Sequence, residues 1–254
     1  MAQEAVVDGR HVFAYAGWTF ETIKRGALSS SERSAMSDRF RLPHVPLPEM
    51  LFGDNLLQAT HEASGWRVAF RAEDALATWA TAQREAHNVE ATAFDVTYTC
   101  AYRGTLSEHA TPQPTCETLP LDRLREHAAI LFYDDVILFE DDVRDLGDVE
   151  CSVKLRVMPF GFLILCRFFA RVDNKCVKLH DARYYHSFGT TYVLRDYETR
   201  HAQHSELQTV DTPMGIVPTA NVVYEAITPQ HAETERLALA PDDVDLVRAE
   251  PTRT

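Results

Sequence analysis

Between Phe162 and Val172 every even-numbered residue is apolar: Phe162, Ile164, Cys166, Phe168, Ala170 and Val172. A period of two puts them on one face of a strand. The odd face is apolar early and carries Arg167 and Arg171 later, which predicts a strand covered on both sides for part of its length. Just before it, Val153, Leu155 and Val157 alternate with Lys154, Arg156 and Met158, and Pro159–Gly161 makes a turn. Just after it, Asp173-Asn174 and Ser187-Phe188-Gly189 set off "KCVKLHDARYYH" and "TTYVLRDYE". Such short connections cannot carry parallel crossovers. Residues 150–198 therefore read as an antiparallel meander.

Other segments are shorter. Residues 11–25 read as two strands split at Gly17, and 29–40 as a helix with a serine cap. "RLPHVPLPEM" is held extended by its prolines. Residues 65–72 alternate as a strand. Residues 73–86 form the best helical pattern, with Leu76, Trp79, Ala80 and Gln83 along one face. A strand is predicted over 94–102, a loop over 107–120, a short helix over 121–128 and a strand over 136–141. A helix near 219–227 and a strand near 235–239 follow, and the polar 241–254 stretch is expected to fray. The pattern predicts one α+β domain over 1–254: an antiparallel meander in two packed sheets with a few peripheral helices.

Charge narrows the function. The formal charge is −13, from 38 acidic and 25 basic side chains, which argues against binding nucleic acid by phosphate neutralisation. The longest apolar run, Val157 to Cys166, contains Pro159 and is too short to span a membrane. The first ten residues, "MAQEAVVDGR", lack the apolar core of a signal peptide. The five cysteines include no CxxC and read as buried free thiols of a reducing compartment. The expected location is the cytosol, with the nucleus also open to the protein.

Little in the chain proposes catalysis. Residues 134–150 hold eight acids and one base, a density that suits a hard cation. The calcium-loop spacing fails, however: counted from Asp141, the sixth position is Leu146 where glycine is required. A solvated acidic strand end is the simpler reading. His201 and His204 are spaced HxxH without a third ligand, and "HEASG" ends in Gly65 where a zincin needs histidine. No GxSxG, Walker loop or GxGxxG occurs. No metal and no cofactor are expected. Asp74 stands in the first turn of a helix, where an acid is more often a cap or dipole partner than a functional group. Asp181 falls on the strand face of Val177 and Leu179, so it must be paired or stand at an edge. Arg183 is the partner at hand. Pairing within the strand and contact with another protein both remain open.

Five blocks, in order, carry a resemblance: "LPEMLFGDN", "DVTYTCAYRGTL", "ILFYDDVILFEDDVRDLG", "SVKLRVMPFGFLILCRFFARVD" and "HDARYYH…TYVLRDYETR". Over residues 11–200 the chain resembles the TIPRL family, the TAP-interacting regulators of TOR signalling. The resemblance implies a non-enzymatic regulator that binds catalytic subunits of type 2A protein phosphatases and the TAP/alpha-four adaptor. It implies an architectural role for Pro48, Met50, Phe52, Gly53 and Asn55: prolines extend the path, Met50 and Phe52 plug into the sheet, and Gly53 turns the chain. It also directs attention to a phosphatase-facing surface at the exposed end of the sheet around Leu179, Asp181 and Arg183, with Asp74 nearby. The alternatives are a carboxylate-metal hydrolase using the 134–150 acids and a peptide-binding scaffold without phosphatase specificity.

Overall fold

In the computed structural model, residues 2–40, 47–78, 102–108, 110–126, 129–143, 146–173, 175–203, 206 and 219–240 are described. The chain folds as α+β, mostly antiparallel strand in two sheets. The first sheet contains β1 (Gln3–Val7), β2 (Arg10–Tyr15), β3 (Trp18–Ile23), β5 (Leu56–His61), β6 (Arg67–Arg71) and β7 (Thr105–Leu106), side by side in that order. Asp8-Gly9 and Ala16-Gly17 join its first three strands. All four residues have positive φ, as two-residue hairpin turns of type I′ require.

The second sheet runs β4 (Met50–Leu51), β9 (Phe132–Asp141), β10 (Gly147–Met158), β11 (Gly161–Val172), β12 (Cys176–Ser187), β13 (Tyr192–Gln203), β14 (His231–Ala238) and β8 (Pro112–Pro114). The predicted meander is its centre, and β9 and β14 extend it on either side. The even face of β11 is buried throughout. Helices among the described residues include α1 (Ser30–Phe40), α2 over 72–78, α3 (Leu121–Arg125) and α4 (Ala220–Ala226). Ser29 caps α1 reciprocally: Glu32 N donates to Ser29 Oγ at 3.4 Å, and Ser29 N donates to Glu32 Oε2 at 2.8 Å. The remainder of the predicted 73–86 helix, and the predicted 94–102 strand up to residue 101, lie outside the described residues, as does 241–254. No helix among the described residues is long and apolar enough to cross a membrane.

Aromatic rings join the sheets. Phe13 stacks on Phe132 with centroids 4.8 Å apart, Trp18 meets Phe162 edge-on at 4.7 Å, and Phe70 meets Tyr184 at 5.7 Å. A polar bridge accompanies them: buried Asp134 accepts from Thr22 Oγ1 and pairs with Lys24 Nζ at 2.5 Å. The inner face of β12 is thus set by Tyr184 and His186. Its odd residues, Leu179 and Asp181 among them, face away from the first sheet.

In the "LPEMLFGDN" block the expectation for Met50 is corrected. Met50 is 44% exposed, and the core residue is Leu51 at 0%. The register explains the exchange: Leu51 lies opposite Phe139 of β9, whereas Met50 lies opposite Glu140 on the outer face. Phe52 is half-buried and Pro48 buried. Gly53 lies in the turn closed by Asn55 N donating to Phe52 O at 3.0 Å, and a Cβ there would stand 2.7 Å from Leu28 Cδ1. Buried Asn55 ties both sheets: Oδ1 accepts from Arg25 N at 2.6 Å, and Nδ2 donates to Ile137 O at 2.7 Å. Of the cysteines described, Cys151, Cys166 and Cys176 are buried and in no disulfide, but Cys116 is exposed.

Candidate interaction site

The outer face of the second sheet carries two apolar patches. Phe169, Val177, Leu179 and Ala202 pack beneath Val223 of α4. Met158, Tyr185 and Leu194 pack against Leu119 and Leu124, the latter in α3. Between the patches lies a lattice of charges generated by strand register. Arg167, Asp181 and Glu198 are direct neighbours across β11, β12 and β13, and Arg183 lies opposite Asp196 one step along.

Asp181 is completely buried. Arg167 Nε and Nη2 each donate to one of its oxygens at 2.7 Å, and Arg183 Nη2 adds a third bond at 2.8 Å. Arg183 Nη1 reaches Asp196 at 2.9 Å and Glu198 at 2.8 Å, and Arg200 Nη1 reaches Glu198 at 2.9 Å. The lattice holds α4 in place. Arg167 Nη1 donates to Asn221 Oδ1 at 2.9 Å and Arg200 Nε to Ile227 O at 2.8 Å. The Tyr224 ring lies under Arg200 and Arg183, with centroid distances of 4.3 and 4.8 Å.

Burial lowers the pKa of Arg183, but Asp181 and Glu198 outweigh it, and the net shift is upward. For Glu198, burial pushes upward and the bonds from Arg183 and Arg200 prevail, holding it below its ordinary value. Asp196 moves the other way, raised by burial despite Arg183. A carboxyl held low by two guanidinium groups is a poor proton donor and a weak base at neutral pH. The lattice is thus suited to shape and orientation rather than proton transfer.

The expected site residues are therefore only partly brought together. Leu179, Asp181 and Arg183 share one face, as the strand period requires. The expectation that Asp181 stands at an exposed rim is corrected: it is sealed by arginines, and Leu179 is likewise at 0% exposure. Asp74 does not join them. Its Oδ2 accepts from Thr105 Oγ1 at 2.7 Å, fastening α2 to the margin of the first sheet. Arg167, Glu198, Arg200 and Tyr224 were not foreseen. A two-residue turn at Asp173-Asn174 would pair Val172 with Lys175 and set 167 opposite 180; only the observed pairing of Val172 with Cys176 sets 167 opposite 181.

A second cluster draws on the acidic stretch. Glu49, Asp141 and Asp142 bring carboxylate oxygens within 4.8 Å of one another, beside an open cavity of about 370 Å³ lined also by Glu140 and Asp148. Glu49 comes from outside 134–150. Its pKa is raised, first by its hydrogen bond with Asp142. Asp141 uses both oxygens on the backbone, accepting from Val143 N at 2.6 Å and Glu49 N at 3.2 Å. That arrangement fits a loop anchor.

Residues 50–208 match the TIP41-like family. The chain belongs to the TIP41-like family. Similarity to individual members runs well beyond that segment. The chain is 32% identical to the human TIP41-like protein over 92% of its own length and 91% of that protein's. It is 31% identical to an Arabidopsis thaliana TIP41-like protein, with 84% and 85% covered. It is 33% identical to the type 2A phosphatase activator TIP41 of Saccharomyces cerevisiae over 70% of this chain and 59% of that protein. Family membership agrees with the resemblance carried by the five sequence blocks. The strand residues of the lattice, Arg167 to Arg200, and residues 50–55 of the "LPEMLFGDN" block lie inside the matched segment, whereas α4 lies beyond it.

Proposed function

We propose that this chain is a non-catalytic regulator that binds catalytic subunits of type 2A protein phosphatases and modulates their activity. The observation that carries the reading is membership of a family in which yeast relatives are named type 2A phosphatase activators. The reading extends to the TAP/alpha-four adaptor as a second partner, to TOR nutrient signalling as the pathway, and to the cytoplasm as the setting, with the nucleus also open.

The proposed contact surface is the outer face of the second sheet around Tyr224; Asp74, fastened to the margin of the first sheet, stands apart from it. Buried Leu179 and Asp181 serve it indirectly. They hold Arg167, Arg183 and α4 in one arrangement, and the half-exposed groups then meet the partner. A surface bearing the Tyr224 ring and the Arg167 guanidinium, both already oriented, loses little rotamer entropy on contact.

The test is capture of a purified type 2A catalytic subunit by the immobilised full chain. Saturable capture is expected, with a change in phosphatase activity on addition of the free chain. No capture, or capture without any effect on activity, overturns the reading. Tyr224→Ala should weaken capture under conditions in which urea denaturation shows the variant still folded. Undiminished capture would move the contact elsewhere.

A further inference from the structure

Sheet margins expose unpaired backbone groups, and natural proteins shorten, block or cover them. Among the described residues the first sheet ends in β1 and β7, the second in β4 and β8. β4 and β7 are two residues long, and β8 has three with proline at both ends. Proline lacks the donor a ladder needs. β1 has none of these protections. It is five residues long, free of proline and lysine, and exposed along its whole length, with Val6 and Val7 both at 65%.

Its register decides which backbone groups are free. Val7 and Arg10 flank the Asp8-Gly9 turn and close the hairpin as a hydrogen-bonded pair. Alternation then turns the N–H and C=O of Gln3, Ala5 and Val7 toward β2, and those of Glu4 and Val6 outward. The carboxylate of Glu4 reaches back across the hairpin, with Oε1 2.7 Å from His11 Nε2. β1 carries a single charged side chain, Glu4, on a chain whose net charge is −13.

We propose that β1 pairs antiparallel with β1 of a second copy of this chain, about a two-fold axis at Ala5. The charge pattern selects this register. Centring the pair on Glu4 sets two carboxylates directly opposite. Centring it on Val6 sets Glu4 against Asp8 of the other copy, twice. Centring it on Ala5 sets Glu4 against the second copy's Val6 and Gln3 against its Val7, and opposes no acids. In that register the outward groups of Glu4 and Val6 are the ones that exchange ladder bonds. The two six-stranded sheets then run on as one. A strand pair this short falls below the roughly 1,200 Å² of a standard interface, so the association is weak and opposed by net charge.

Sedimentation velocity on the full chain over a wide concentration range, at low and moderate salt, tests this. A monomer–dimer equilibrium that tightens with salt is expected, with slowed amide exchange at Glu4 and Val6 as concentration rises. Val6→Pro removes an outward N–H and no bond to β2. It should weaken dimerisation at least about tenfold without shifting the melting temperature. A single monomeric species at every concentration overturns the proposal, as does a dimer that Val6→Pro leaves intact.

Discussion

Arg167 meets Asp181 side-on, with Nε and Nη2 each 2.7 Å from a different carboxylate oxygen. The pair bridges β11 and β12 in a place where Asp181 has no access to water. Removing one partner leaves uncompensated charge indoors. Asp181→Asn should therefore cost on the order of 3–5 kcal/mol in urea denaturation, with Asp181→Lys worse still. A loss under about 1 kcal/mol would mean the arginines relax freely into solvent.

Register also separates two adjacent residues. Leu51→Ala should destabilise by about 2–5 kcal/mol, since Leu51 is fully enclosed. Met50→Ala should stay within about 0.5 kcal/mol. Equal effects in chemical denaturation would contradict the β4–β9 pairing.

Ile164 lies at 0% exposure midway along β11. Ile164→Ala should cost about 2–5 kcal/mol, read as a shift in urea midpoint at constant slope. A loss below about 1 kcal/mol would contradict an interior strand here.

Acid stability should report His186. Burial lowers its pKa from 6.5 to about 4, and the neutral ring donates through Nδ1 to Tyr192 O at 2.8 Å. Between those values the unfolded chain binds the proton and the fold does not. The contribution is fully present above pH 6.5 and is lost as pH falls through 4. His186→Gln should flatten the stability profile across that window by on the order of 2–3 kcal/mol, measured by urea titrations at stepped pH. A variant profile parallel to the parent's would exclude His186 as the source.

The meander was legible because β10 and β11 each have one face that is continuously apolar, and because its turns are short enough to fix direction. β1 was not, since all five of its residues are exposed and leave no alternation to detect. In "MLF" three apolar residues in a row hide the period, so only pairing with β9 shows that Leu51 points inward and Met50 outward. At the candidate site, sequence proximity favoured Arg183 as the partner of Asp181. The tighter grip comes from Arg167, brought across a hairpin. Asp74 misled for a related reason: a helix start says nothing about which sheet the helix is fastened to.

The last strand added to the second sheet has a bearing on how the chain is assembled. Among the described residues β8 pairs with β14 alone, setting Pro112 against Leu237 and Pro114 against Glu235. The hairpins of β9 to β13 can close as each pair of strands leaves the ribosome, because their partners are adjacent in sequence. Residues 112–114 must wait until almost the whole domain has been synthesised. Their prolines offer no ladder donor to a neighbouring nascent chain during that interval. The same residues that make β8 a poor strand make it a safe one to leave unpaired.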